Sequence, residues 1–207
     1  MFTVGFDLDM TLVDSRPGIA ATFRLLSQLT GVEIDTALVV SRLGPPLEHE
    51  MANWYPPADV GLAVDRYRTL YPEHAVAPSP ALPGAAEAID AVHAAGGRVL
   101  VLTAKKGELA ELHLRHLGMV ADEVRGLAWA DGKAAALRAA GALAYVGDHV
   151  ADMAAARAAG VVGIGVTTGP CSAAELVDAG ADAVLADLRG FPSLLARIRL
   201  GRGVSDD

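Results

Sequence analysis

Two aspartates, Asp7 and Asp9, stand two residues apart where a short apolar run, Phe2 to Phe6, gives way to Met10-Thr11-Leu12-Val13-Asp14-Ser15. A second apolar run, Arg98 to Leu102, ends in Thr103, and a third, Leu143 to Val146, ends in Gly147-Asp148 with Asp152 four residues on. Lys133 falls at the start of a helical stretch between the last two runs. Carboxylates serve as nucleophiles, proton carriers or metal ligands, while a hydroxyl and an ammonium hold an anion. If the three runs are strands of one parallel sheet, their ends share an edge, and that edge is where open α/β sheets bind ligands. Four carboxylates drawn together repel, so such a site calls for a divalent cation, and magnesium suits oxygen donors.

Each residue also has a purely structural reading. Acidic pairs decorate loops, Thr103 can cap the helix that follows it, and acids at a helix start, such as Asp148 and Asp152, are favoured by the helix dipole alone. Lys133 is different, because a cation in the first turn opposes that dipole and asks for a negative neighbour.

The elements that would position these groups follow from periodicity and punctuation. Ser15 is expected to cap a helix with Pro17 in its early turn, Ile19, Phe23, Leu26 and Leu29 on one face, and Gly31 at its end. Thr36 is expected to cap a short helix that stops by Gly44-Pro45-Pro46; Leu47 to Tyr55 and the set Val60, Val64, Tyr67, Leu70 read as two more. Residues 77–84 are a linker by composition. Beyond it helix and strand alternate: helix 84–95, strand 98–102, helix 106–117, a weaker strand 124–129, helix 132–140, strand 143–146, helix to 160, strand 161–166. A helix from the Ser172/Glu175 capping box to 180, a short strand 183–185 and a last helix 191–200 precede a polar tail. This is the pattern of an α/β, doubly wound parallel sheet covered on both faces. The core is expected over 1–15 and 81–207, with an all-helical cap domain, 16–80, inserted after the first strand.

Composition narrows the function. The 207 residues are 52% hydrophobic, much of it alanine, and no stretch approaches the ~18 apolar residues of a membrane span. No basic start precedes an apolar segment, so no signal peptide is expected, and the single Cys171 cannot pair within the chain; both fit a cytoplasmic location. A net charge of −8 is the wrong sign for a nucleic-acid partner, though a small anion can still bind through a metal or a local cation.

In order, Asp7-Leu8-Asp9-Met10-Thr11-Leu12-Val13-Asp14-Ser15, Thr103, Lys133 and Gly147-Asp148-x-x-x-Asp152 resemble the four-part signature of the haloacid dehalogenase superfamily of phosphohydrolases. The resemblance spans nearly the whole chain. The helical insertion is similar to the cap of phosphoglycolate phosphatase-like members, and Leu43-Gly44-Pro45-Pro46-Leu47 to the cap loop that faces substrate there. It implies a Mg2+-dependent phosphatase for a small phosphorylated metabolite, a phosphoglycolate-like phosphomonoester, acting through an aspartyl phosphate. In it Asp7 is the nucleophile, Asp9 the acid and base, and Thr103 and Lys133 hold the phosphoryl oxygens. The metal set it implies is Asp7, Asp148, the backbone carbonyl of Asp9, and Asp152 as ligand or ligand-orienting group; Thr103, Ala104, Lys105, Arg16 and Arg42 are the residues expected to contact substrate.

Met10 stands where the family usually has glycine, which predicts a backbone without positive φ there. Retention of Asp9 argues for phosphate chemistry over dehalogenation, and the absence of lysine from 16–80 argues against phosphonate cleavage, which uses a cap lysine. Two alternatives stay open: a phosphosugar mutase of the same superfamily, and a phosphoaccepting receiver-like signalling module, although that class carries its aspartate on the third strand. The expected partner is the small metabolite alone, with no nucleic acid or membrane, in a monomer or small homo-oligomer.

Several further residues are weighed on their own. His113 and His116, with Glu111 close by, are expected on a solvated helix face. His149 either points into the pocket mouth or does not; Lys105 is either a substrate contact or a surface lysine; Arg16 and Arg42 either bind a substrate carboxylate or lie on the surface. Trp54 and Trp129 are expected to pack, and Gly163-Ile164-Gly165 lacks the third glycine of a dinucleotide fingerprint.

Overall fold

The computed structural model describes residues 1–201, so most of the expected polar tail, 202–207, lies outside the described residues. Among the described residues six strands form one sheet: β1 (Thr3–Phe6), β2 (Arg98–Leu102), β3 (Glu123–Arg125), β4 (Ala142–Gly147), β5 (Val162–Val166) and β6 (Ala183–Leu185). Their order is β3-β2-β1-β4-β5-β6, and every pairing is parallel. The order reverses at β1, the topological switch point where doubly wound sheets bind ligands.

Period-two alternation divides the sheet between two apolar layers. Phe6, Val99, Val101 and Val146 face a cluster completed by α5 (Ala85–Ala94) and α10 (Phe191–Arg199), where the Phe6 and Phe191 rings meet edge to face with centroids 5.2 Å apart. Leu100, Leu102 and Tyr145 face the other way, toward α7 (Asp131–Ala139) and α8 (Val150–Ala159). α6 (Gly107–His116) and α9 (Ala173–Asp178) complete the layers. The Ser172/Glu175 capping box is present at the start of α9, as its sequence spacing predicts.

Between β1 and β2 the chain is helical: α1 (Arg16–Thr30), α2 (Thr36–Ser41), α3 (Leu47–Met51) and α4 (Val60–His74). These helices bury a cluster of their own around Phe23, Tyr67 and Tyr71, joined by Leu109 of α6. The way out and the way back are tied together. Asp14 N–H donates to the Pro80 carbonyl at 2.9 Å, and Leu82 N–H to that of Leu12 at 2.9 Å, so the proline-rich linker pairs with the segment leaving β1.

Several local expectations are corrected. Asp35, not Thr36, caps α2, its carboxylate accepting from Ala37 and Leu38 N–H, because a carboxylate one residue earlier reaches the free amides better. Ser15 occupies the cap position of α1 but makes no capping bond, its backbone there being helical. Leu29 is exposed rather than on the buried face. β3 stops at Arg125, short of Trp129, because an edge strand pairs only along the residues facing β2. Among the described residues no helix is long and apolar enough to cross a membrane.

Candidate active site

Asp7 is the first residue past β1 and stays tied to the sheet by its N–H, which donates to the Val146 carbonyl at 2.8 Å. The chain then turns on one acceptor: the Leu8 carbonyl takes N–H groups of Leu12 at 2.9 Å and Val13 at 3.0 Å. Met10 N–H donates to Val13 at 2.8 Å, and the Met10 carbonyl accepts from Thr168 Oγ1 at 2.6 Å. That closure forces Met10 to φ 61°, against the sequence expectation. A left-handed non-glycine residue is disfavoured by roughly 1–2 kcal/mol, and the Met10 side chain offsets it by being buried.

The turn delivers its side chains to a common point. Thr11 Oγ1 donates to Asp148 Oδ1 at 2.9 Å, joining the end of β1 to the end of β4. Lys133, in the first turn of α7 and 2% exposed, donates to Asp7 Oδ1 and Asp152 Oδ1, both at 2.7 Å. This is the negative neighbour its position asked for. Tyr145 reaches from β4 to Asp152 Oδ1 at 3.1 Å, and His149 N–H to Asp152 Oδ2 at 3.3 Å. Behind Asp148 lies the 167–171 loop, where a Cβ on Gly169 would stand 1.8 Å from Asp148 Oδ2; only glycine lets the loop rest on that carboxylate.

Carboxylate oxygens of Asp7, Asp148 and Asp152 lie within 4.8 Å of one another, all buried. Burial first, then the neighbouring acids, push Asp7 up to about 7 and Asp148 well above the usual carboxylate range, more than Lys133 can offset. Burial would lower the Lys133 ammonium, but Asp152 and Asp7 hold it well above its ordinary value. One lysine therefore does not balance three acids, and an oxygen-only, over-negative cluster fits a hard divalent cation such as Mg2+. The Asp9 side chain stands apart from this cluster. It meets Lys105 Nζ at 2.5 Å, and although burial works to raise it, Lys105 outweighs burial and holds it below the usual range.

A cavity of about 100 Å³ opens between the sheet edge and the helical insertion. Asp7, Asp9, Thr103, Ala104, Lys105 and Arg42 all line it, which brings most of the expected catalytic and substrate-contact residues to one place. Lys133, Asp148 and Asp152 lie beneath rather than on its wall. Arg16 is not on the wall either: its guanidinium forks Asp14 at 2.8 Å and is half exposed. Lys105 is no surface lysine, since besides Asp9 it lies 4.8 Å from the centre of the Tyr71 ring. Thr103 makes no helix cap; its Oγ1 accepts from Lys105 N–H at 3.1 Å, and α6 starts only at Gly107. His149 turns away from the wall to cap α8 through Nδ1, with its ring 5.6 Å from that of Trp129 and against Gly44 of the insertion.

His113 corrects the expectation of a solvated face. It is fully buried, and its Nε2 meets the Tyr71 hydroxyl at 2.9 Å, tying α6 to α4. Burial, then Lys105, depress it to about 4. A signal existed in the sequence, since His113 lies four residues from Leu109 and next to Leu114 on the apolar stripe. Tyr145 was not anticipated either, although a lone hydroxyl in a buried strand needs a partner. Ser15 had no such signal: its hydroxyl is buried beside Asp9, outside hydrogen-bond geometry.

A parallel sheet with acids, a threonine and a lysine gathered at its switch point is an α/β arrangement whose acid trio could hold a cation beside an anion. A family model for haloacid dehalogenase-like hydrolases matches residues 4–157, and one for HAD-like hydrolases matches 129–191. The chain belongs to the haloacid dehalogenase-like hydrolases. No curated protein matches it. Among solved structures it is similar to a haloacid dehalogenase-like family hydrolase from Streptococcus pneumoniae, with 24% identity, TM-score 0.80, and 95% of this chain and 97% of that one covered. It is also similar to a protein described as a predicted phosphatase from Clostridium acetobutylicum (24%, 0.79, 95% and 98%). A third, described as a predicted phosphoglycolate phosphatase, comes from Haemophilus somnus (21%, 0.79, 93% and 97%). At these identities the structural likenesses speak for the fold.

Proposed function

We propose that this hydrolase is a Mg2+-dependent phosphatase that cleaves a small phosphomonoester, of phosphoglycolate size, through an aspartyl phosphate on Asp7. The observation that carries the reading is Asp7 itself, which faces the cavity while Lys133 grips one of its oxygens at 2.7 Å. That leaves the other oxygen to attack phosphorus. Residues 16–80 act as a cap over a core formed by 1–15 and 81–207, and the cap walls water out of the first step.

As the Asp7–phosphorus bond forms, the ester P–O bond breaks, and the leaving oxygen takes a proton from Asp9. Water then attacks the same phosphorus, gives its proton to Asp9, and frees phosphate and Asp7. Bound to Lys105, Asp9 is a carboxylate, the form that accepts a proton. Donating one first requires Lys105 to be drawn away, and arriving phosphoryl oxygens are the group to draw it. Thr103 and Lys105 hold those oxygens, and Lys133 keeps Asp7 from being repelled by Asp152. Asp7, Asp148 and the backbone carbonyl of Asp9 would hold Mg2+, with Asp152 as ligand or orienting group and Thr11 fixing Asp148. Once bound, Mg2+ supplies charge to offset that of the phosphoryl group.

Phosphate release over a panel of small phosphomonoesters, with Mg2+ and with EDTA, tests the reading. Turnover is expected with Mg2+ only; release of an isomerised sugar phosphate instead points to a mutase, and a stable phosphoprotein to a signalling module.

A further inference from the structure

The cavity has two unlike halves. At the sheet edge it presents Asp7, Asp9, Thr103 and Lys105, whereas toward the insertion its wall is built from Ile19, Phe23, Val39, Leu43, Leu47 and Tyr67. Among the described residues four cations reach it, and each already faces a carboxylate of its own chain. Lys105 has Asp9, Lys106 has Glu108 at 3.0 Å, Arg68 has Glu48 at 2.7 Å, and Arg42 is forked by Glu50 at 2.7 and 2.8 Å. The Arg42 pairing is the most firmly built. Glu50 Oε1 also accepts from Trp54 Nε1 at 2.7 Å, and the guanidinium lies 5.7 Å from the centre of the Trp54 ring. A substrate carboxylate seeking Arg42 must displace a tethered, bidentate one and leave Glu50, only 14% exposed, without its cation. Lys105, beside Thr103 at the phosphoryl end, is the cation an incoming phosphate can claim.

We propose that the site selects phosphomonoesters whose only charge is the phosphoryl group and whose leaving group is apolar, with Glu50 setting that preference by neutralising Arg42. The proposal rests on the phosphatase reading above and narrows its substrate class.

The test uses the full chain with Mg2+ and esters of primary alcohols, so that intrinsic reactivity is comparable: propyl and butyl phosphate against 2-phosphoglycolate and 3-phosphoglycerate. The alkyl esters are expected to lead in kcat/KM by about 10-fold or more. Glu50→Gln keeps the side chain's shape and leaves Arg42 unopposed, so the ratio of alkyl to carboxylated ester should fall by about 10-fold. Arg42→Gln removes the cation, and in it the ratio should not fall. Preference for the carboxylated esters in the unaltered chain, or the same ratio in a folded Glu50→Gln protein, overturns the proposal while leaving the phosphatase reading intact. No phosphate from any ester overturns both.

Discussion

The Tyr71 hydroxyl and His113 Nε2 meet at 2.9 Å, and that single bond joins a helix of the insertion to a helix packed on the sheet, one residue pair away from the Lys105–Asp9 contact. His113 is buried neutral, its value depressed to about 4 from 6.5 by burial and then by Lys105. Between those values the unfolded chain binds a proton that the folded chain does not. The stabilisation from neutral His113 is therefore complete above pH 6.5 and is lost as pH falls toward 4, on the order of 3 kcal/mol across the window. Thermal unfolding of His113→Gln should show a flatter pH dependence from 7 to 4.5 than the parent chain; parallel curves would refute the assignment.

Among the described residues, Lys133 is the one cation that touches both Asp7 and Asp152. Lys133→Met leaves these buried acids facing each other and should destabilise the fold by about 3–5 kcal/mol in EDTA. Millimolar Mg2+ should recover part of that loss and raise the melting temperature more in the variant than in the parent. A metal effect no larger than the parent's would count against a cation site at the acid trio.

Asp7→Asn removes charge from an over-negative cluster, so the variant should fold at least as stably as the parent in EDTA. Turnover should nevertheless fall by about 10⁴-fold or more, because the proposed nucleophile is gone. Circular dichroism and phosphate release on the same sample check both halves, and retained turnover would rule out Asp7 as nucleophile.

Met10→Gly relieves a left-handed φ but also deletes a buried side chain. Relief is worth roughly 1–2 kcal/mol, and truncating a core methionine loses about 2–5 kcal/mol. The variant should be net less stable by about 1–3 kcal/mol in urea melts. A gain in stability would mean that strain, not packing, dominates at this turn.

Gly44 holds φ 136° with the His149 ring directly behind it, so a Cβ there would lie 2.9 Å from the ring. Gly44→Ala should push the 43–46 loop off His149 and raise KM more than it lowers kcat. Unchanged steady-state constants would show that this contact has no part in turnover.

What the sequence determined by itself is the part that local rules reach. Alternating apolar runs and helical stripes specify a parallel α/β sheet, and parallel direction alone brings the ends of β1, β2 and β4 to one edge. Asp7, Thr103 and Asp148 could thus be grouped before any coordinates, and Lys133 stood out because it contradicts the helix dipole. What only the tertiary structure decided are matters of partner choice between distant segments. Met10 takes a left-handed φ because Thr168 and Val13 close its turn, His113 is buried because Tyr71 arrives from the insertion, and Lys105 joins the site because Asp9 lies ninety-six residues away in sequence and 2.5 Å away in space. Arg16 and Arg42 were indistinguishable as sequence; the structure commits one to Asp14 outside the cavity and the other to Glu50 on its wall. Propensity and periodicity act over one or two turns of chain, whereas burial and ion pairing depend on which surfaces the fold presses together.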